Sequence, residues 1–401
     1  MYKLTFTLKQ HTPIIHFQHD QEGATLRASE VKPKLDRYLD CFLFAFDFEK
    51  IKKYLTGYTN NKDHQYKVKY ENGYNAIDYQ ISIKPLGNII ITMIPDRFPC
   101  YFGNMGDDNQ QNPKKFSFTN EPISITIATN HVYLYEELKN EVSSFFARNN
   151  FGTRQSKGFG SFYITQEDPF YFEPNLLSFY TLANNVNSKA IFESIQMVHK
   201  ALRSGINAYG AGAAHTFYMK PLIWQYFKNS GITWDKKATK QNFRFADAKK
   251  DVYANQISAI EQDDWPVFYI SEKQKLVKDL LGLSSVENWM SYHAIIKKHS
   301  TSISRMKSPI LYKPVRVGDE MRIYIDCDRI PDEFYDQSFT ISNGTRSFNI
   351  LTPVLEEFNI EDFLIWSFKY KQINELIGDD YLGTDKATEI IIIFTELNDN
   401  L

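Results

Sequence analysis

The sequence predicts an α+β protein, with a ferredoxin-like (RRM-like) unit over residues 1–168 and a helix-rich second domain over residues 169–401. Three observations carry this. The first ten residues alternate apolar and polar with a period of two, as a half-buried strand does. The patterns that follow run helix, strands, strand, helix, strand, which is the β-α-β-β-α-β order with one extra hairpin. After Pro169 the composition turns helical, with apolar residues at the spacing of a helix face.

Element by element, Tyr2, Leu4, Phe6 and Leu8 alternate with Lys3, Thr5, Thr7 and Lys9 to form the first strand. A polar stretch with His11, His16 and His19 precedes Ser29, which opens a helix whose buried face is Val31, Leu35, Leu39 and Phe42. Pro33 is expected in its first turn, where a missing N–H costs little. Strands are expected near residues 65–71, 77–85 and 89–94, followed by a Pro/Gly/Asn/Asp-rich loop over 95–115, long enough to suggest a function. A strand at 123–128 leads to a helix over about 131–148, with Asn130 as its cap, and a last strand spans 161–165. Both helices then cover one face of an antiparallel sheet and leave the other face for a ligand.

In the second domain, helices are expected over about 187–204, 216–229, 252–263, 272–282 and 284–300. Strands return at 310–317 and 321–327, with weaker patterns near 338–350. A long helix at about 353–376 and a strand at 389–394 close the chain. This tail has the form of a degenerate second copy of the first plan carrying a helical insertion.

The chain is 43% hydrophobic and 23% charged, the balance of a globular protein with apolar material for two cores. A net charge of −2 excludes a polyanion binder that works by global charge, so any nucleic-acid site is a local basic patch. The three cysteines, Cys41, Cys100 and Cys327, form neither a disulfide framework nor a zinc ribbon and point to a reducing compartment. No apolar run is long enough to span a bilayer, and the N-terminus lacks the core of a signal peptide. The expected location is cytoplasmic, without membrane partners.

Residues 145–165, FFARNNFGTRQSKGFGSFYIT, are the most informative stretch. Arg148, Arg154 and Lys157 stand among Gly152, Gly158 and Gly160 with no acidic residue. Glycines let main-chain N–H groups converge on an anion, and the bases add charge. Phe151, Phe159 and Phe162 offer faces for a nucleotide base. The alternative is a tight helix-to-strand turn in which the glycines supply positive φ. A loop that follows a helix and precedes a strand is unlike nucleotide loops, which follow a strand and open a helix. A second basic cluster, Arg27, Ser29, Lys32, Lys34 and Arg37, surrounds the N-terminus of the first helix, where the dipole favours phosphate.

Two segments together resemble a known family. Thr12-Pro13 with Gly23-Ala24-Thr25-Leu26-Arg27-Ala28-Ser29-Glu30-Val31-Lys32, and Gly152-Thr153-Arg154-Gln155-Ser156-Lys157-Gly158-Phe159-Gly160-Ser161-Phe162, look like the RAMP superfamily of CRISPR systems. Within it the second run is most similar to the first subunit of the Cmr (type III-B) effector. Arg305-Met306-Lys307-Ser308-Pro309-Ile310 resembles an R-x-x-S-P stretch in the second half of that subunit. Pro33 stands where the family's first helix usually has glycine. The resemblance implies a subunit of an RNA-guided antiviral complex that grips guide or target RNA beside other CRISPR effector subunits, without cofactor or metal and without cutting. The RNA contacts expected from the basic clusters and the resemblance together are Arg27, Ser29, Lys32, Lys34, Gly152, Arg154, Lys157, Gly158, Phe159, Gly160, Arg305 and Lys307.

An alternative reading is a metal-independent guide-processing endoribonuclease, with His16 or His11 activating a ribose 2′-OH. As metal ligands the three histidines match no standard spacing. Asp96, Asp107 and Asp108 in the 95–115 loop, Arg203 with His215 and Lys220, and the basic run Lys297-Lys298-His299 are weaker candidates, each with a plain structural reading as loop, linker or solvated face.

Overall fold

A computed structural model of the chain describes residues 1–16, 25–95, 98–99, 115–182, 189–209, 215–243, 273–289 and 294–401. They divide into two compact units. One comprises Met1–Leu176, Tyr180–Glu193 and Leu311–Asp326, and the other Leu177–Phe179, Ser194–Ile310 and Cys327–Leu401.

In the first unit, β1 (Tyr2–Gln10) buries Leu4, Phe6 and Leu8 and turns Lys3, Thr5 and Lys9 outward, as its alternation requires. The helix α1 (Ala28–Phe42) follows, and a second helix α2 (Asp63–Glu71) precedes β2 (Tyr79–Pro85). The hairpin β3 (Ile90–Met93) and β4 (Lys115–Phe118) leads to β5 (Ile123–Thr129), α3 (Val132–Ala147) and β6 (Phe162–Ile164). The main sheet has order β2-β5-β1-β6, and its neighbours are all antiparallel. Its register sets Leu4, Phe6 and Leu8 opposite Ile127, Ile125 and Ile123. These residues share one core with Val31, Leu35 and Leu39 of α1 and Leu134, Leu138, Val142, Phe145 and Phe146 of α3.

Several local expectations fail for physical reasons. Residues 65–71 alternate like a strand, yet they are helical, and Tyr66 is the residue that α2 buries. The first helix starts at Ala28 with Arg27 as its N-cap residue, so Pro33 lies in the second turn. The N-cap residue of α3 is His131, whose N–H donates to Thr129 Oγ1, so Asn130 is not the cap. Residues 96–97 and 100–114 of the expected loop, with Asp96, Asp107 and Asp108, lie outside the described residues, as does the helix expected at 252–263.

After β7 (Leu177–Leu182), whose residues are shared between the units, come α4 (Lys189–Arg203), β8 (Ile206–Tyr209), β9 (His215–Met219) and α5 (Leu222–Asn229). Then follow β10 (Thr233–Trp234), α6 (Asp235–Asn242), β11 (Gln274–Lys275), β12 (Val286–Trp289), β13 (Ala294–His299), β14 (Ile310–Val317) and β15 (Glu320–Cys327). The chain closes with β16 (Ser338–Ser342), β17 (Ser347–Leu351), α7 (Ile360–Lys369) and α8 (Asp385–Asp399). The second unit is therefore mixed rather than helix-rich, built on a six-stranded sheet of order β10-β11-β17-β16-β13-β12. The helices expected over 272–282 and 284–300 are instead β11 with a 3-10 turn and the paired strands β12 and β13. The helix of 216–229 begins only at Leu222, after β9 and Pro221. The one expected over 353–376 is shorter, capped by Asn359 and flanked by 3-10 turns. Residues 389–394 lie inside α8, not in a strand. Ile390, Ile393, Phe394 and Leu397 face inward at helical spacing while Ile392 is 59% exposed.

Lys298 on β13 explains why a basic run need not be a solvated face. Its Nζ lies 2.5 Å from Asp279 Oδ2 and 2.8 Å from Glu287 Oε1. Lys278 also pairs with Glu287, and Arg203 with Asp279. Burial pushes the Glu287 carboxyl up, but the Lys278 and Lys298 ammoniums outweigh it and hold it well below the usual range. Removing one partner from such a network leaves a buried charge uncompensated. Asp279→Asn is expected to destabilise the second unit by about 3–5 kcal/mol in denaturant unfolding, and the apolar pair Asp279→Leu with Lys298→Met by less.

Candidate nucleic-acid interface

The glycine-rich loop, residues 149–161, takes its shape from close chain approach. Gly152, Gly158 and Gly160 have φ of +78°, +88° and +64°, and Arg154 joins them at +59°. A Cβ on Gly160 would stand 2.0 Å from the Phe151 carbonyl oxygen, and one on Gly152 2.6 Å from that of Ile15. Only glycine fits there.

The segment after β1 laces this loop in place. Thr12 Oγ1 donates to the Gly158 carbonyl at 2.6 Å and accepts from the Ser161 N–H at 3.0 Å. The Gly160 N–H donates to Pro13 O and the Thr153 N–H to Ile15 O, both at 2.8 Å. The amides of Phe151, Lys157 and Gly158 donate to carbonyls within the loop. These amides are committed to the protein, so the open cradle of N–H groups expected from the glycines does not form at those positions. The side chains at the Arg154 turn are half-buried, and Lys157 is 9% exposed with its Nζ 6.0 Å from the Tyr312 ring centroid.

The aromatic part of the expectation is overturned. Phe151, Phe159 and Phe162 are fully buried. Phe159 stacks on Phe192 at 4.1 Å and packs against Phe98 and Phe116. Exposing a buried Phe costs roughly 1.5–3 kcal/mol, which cancels the ~1–3 kcal/mol that stacking on a base returns. Phe159 is core, not a stacking platform.

At the first helix, Lys34 joins the two basic clusters. Its Nζ donates to the Asn150 carbonyl at 2.5 Å and to Gln155 Oε1, and it lies 4.9 Å from the Phe151 ring centroid. Lys32 points elsewhere. It pairs with buried Asp36 at 3.1 Å, donates to Ile77 O and sits 3.8 Å over Tyr79. Burial raises the Asp36 carboxyl, and Lys32 opposes that rise. Arg27 is half-buried at the N-cap position and Ser29 is exposed.

His11 and His16 are both buried. His11 Nδ1 accepts from the Arg316 main-chain N–H at 2.9 Å. Burial above all keeps its imidazole pKa well below the usual value, so it is neutral. His16 Nδ1 lies 3.5 Å from Glu30 Oε1. In the second unit, Arg305 is exposed, Lys307 pairs with Asp328 in an exposed contact, and Arg203 is held by Gly282 O and Asp279. Lys220 is exposed beside the Trp224 ring. Among the described residues no His, Cys, Asp and Glu group is arranged to hold a metal ion. Nor is any helix long and apolar enough to cross a membrane.

The strand expected at 310–317 is present as β14, but its contact with the glycine loop was not foreseen. Asn150 Nδ2 donates to Tyr312 O at 2.7 Å, Ser161 Oγ donates to Pro314 O at 2.6 Å, and residues 157 and 312 form a parallel bridge. β14 thereby brings Lys313 to the loop and Arg316 to His11. The available signal was a lysine, Lys313, within an apolar strand directly after the R-x-x-S-P stretch.

Within the first unit, α1, the glycine loop and β14 thus meet beside an antiparallel sheet, the layout of an α+β protein, with Lys34 and Lys313 bonded to main-chain carbonyls at the loop. The chain belongs to the Cmr1 family: residues 1–206 match the Cmr1 N-terminal domain and residues 218–382 the Cmr1 C-terminal domain. The RAMP resemblance is borne out. No curated protein matches the chain. Among solved structures it is similar to Cmr1 from Pyrococcus furiosus in the apo form, at 10% identity and TM-score 0.35, over 83% of this chain and 90% of that one. It is also similar to a chain in the cryo-EM structure of the type III-B Cmr-beta bound to cognate target RNA, at 12% identity and TM-score 0.27. That match covers 41% of this chain and 60% of the other.

Gly160→Ala tests the crossing. It is expected to cost at least about 2 kcal/mol through positive φ and the Phe151 clash. Gly383→Ala, where no atom lies within 4 Å of the added Cβ, stays within about 0.5 kcal/mol in the same unfolding measurement.

Proposed function

We propose that the chain is a non-catalytic RNA-binding subunit of an RNA-guided type III CRISPR complex, working in the cytoplasm beside other effector subunits. Its first unit is read as a ferredoxin-like RAMP domain and the rest as a degenerate second one; the strand order β2-β5-β1-β6 supports the first part. Membership of the Cmr1 family supports the complex, and a similar chain stands in a target-RNA-bound assembly.

The observation that carries the RNA reading is the gathering of Lys34, Arg154, Lys157 and Lys313 at one loop of a protein whose net charge is −2. Guide or target RNA lies along that loop with phosphates on Arg154 and Lys157, and a further phosphate meets the first turn of α1 near Arg27 and Ser29. Gly152, Gly158 and Gly160 shape the contact. Lys34 holds the loop from below, and Lys32, already paired with Asp36, plays a lesser part. Arg305 and Lys307 supply a separate contact; the exposed Lys307–Asp328 pair is worth about 1 kcal/mol at most and yields readily to a phosphate. Bases stay off Phe159.

The double variant Arg154→Ala, Lys157→Ala is expected to weaken single-stranded RNA binding and to lower the slope of log K against log salt by about 1.4, two contacts at ~0.7 each. Unchanged affinity and slope contradict the assignment. The endoribonuclease reading is disfavoured by the burial of His11 and His16 and by the Arg316 N–H that occupies His11 Nδ1. Repeat RNA incubated with the protein in EDTA should stay intact; cleavage that disappears in His16→Ala or His11→Ala reverses that choice.

A further inference from the structure

Behind the glycine loop stands a lysine with no exposed surface, Lys313 of β14. Its Nζ donates to the Asn149 carbonyl at 2.8 Å and to the Phe162 carbonyl at 2.7 Å. Those two carbonyls mark the start of the loop and the strand that leaves it. One side chain, from more than a hundred residues further along, therefore ties both ends of the loop together. Both acceptors are neutral, and a buried ammonium facing neutral acceptors has a strong incentive to lose its proton.

The charged group that acts on it points the same way: Lys34 reaches the loop from α1. Lys9 and Arg316 face His11, and Lys157 faces the Tyr312 ring. Burial, then the charge of Lys34, hold the Lys313 amine well below the usual lysine range. Two N–H groups suffice for the two carbonyls, so the neutral amine still closes the loop.

We propose that Lys313 is the positioning residue of the RNA site: it fixes both ends of the glycine loop, and it takes up one proton from solvent when a phosphate settles there. The inference rests on the RNA reading above. A phosphate on the loop offsets the repulsion from neighbouring cations and favours the charged amine. The proton leaves a buffer acid and joins the Nζ lone pair, and no other bond changes. The sign follows from linkage. Below its free-state pKa, Lys313 is charged with or without RNA, and affinity does not depend on it. Between the free and RNA-bound values, affinity falls as pH rises. Above the bound value it is neutral in both states.

The test is isothermal titration of the full chain with a single-stranded RNA oligonucleotide, in buffers of different ionisation enthalpy, between about pH 6.5 and 9.5. The expected result is net uptake approaching one proton per RNA, with affinity falling by up to about tenfold per pH unit inside the window. Lys313→Arg, charged throughout, is expected to bind RNA with that uptake abolished. Lys313→Met is expected to lose the uptake and, without RNA, to exchange the Phe151 and Gly160 amides faster. RNA binding by the unaltered chain without proton uptake overturns the proposal, even if no variant folds. So does uptake that persists in Lys313→Arg. A chain that binds no RNA overturns the RNA reading and this proposal together, whereas binding without uptake overturns this proposal alone.

Discussion

The first unit depends on one chain crossing, where residues 11–16 run against the glycine loop. Thr12 Oγ1 bonds both Gly158 O and the Ser161 N–H, and the carbonyls of Pro13 and Ile15 accept from Gly160 and Thr153. Lost contact there would release β6 from its place beside β1, the Phe159 core and the docking of β14. The glycines follow from this geometry. At Gly160 a Cβ would overlap the Phe151 carbonyl, so the residue is set by the crossing whatever the loop binds. The positive charge of the loop is a separate property, since the turn itself needs neither Arg154 nor Lys157 as bases.

Much of the first unit was legible because its signals are local. The alternation of β1, the spacing Val31, Leu35, Leu39 and the helix before the glycine loop all reappear. Local pattern fails where two periods overlap. The isoleucine run at 390–393 suits a strand, but Thr384 caps the Ala387 N–H and starts a helix that buries Ile390 and Ile393 and leaves Ile392 outside. Residues 286–289 and 294–299 look helical in composition and are the strands β12 and β13, because β13 pairs with β16, a partner some forty residues away.

The candidate site divides along the same line. Glycine positions, Arg154, Lys157 and the α1 cluster were visible in sequence. The burial of Phe159, the arrival of Lys313 from β14 and the hold of Ile77 and Tyr79 on Lys32 were not, because each depends on partners distant in sequence; the i,i+4 pairing of Lys32 with Asp36 is local. Lys298 shows the same in the second unit: it sits in a basic run and is buried against Asp279 and Glu287. Basic residues in this protein therefore fall into struts, such as Lys32, Lys34, Lys298 and Lys313, and the more open Arg154, Arg305 and Lys307. The second kind can meet a phosphate without dismantling the fold.

The central claim is that RNA lies on the wall formed by α1, the glycine loop and β14. Hydrogen–deuterium exchange of the full chain with and without single-stranded RNA tests it most directly. Slowed exchange is expected to concentrate in residues 27–34, 152–160 and 311–317. RNA binding that leaves those three segments unchanged, with protection elsewhere, contradicts it.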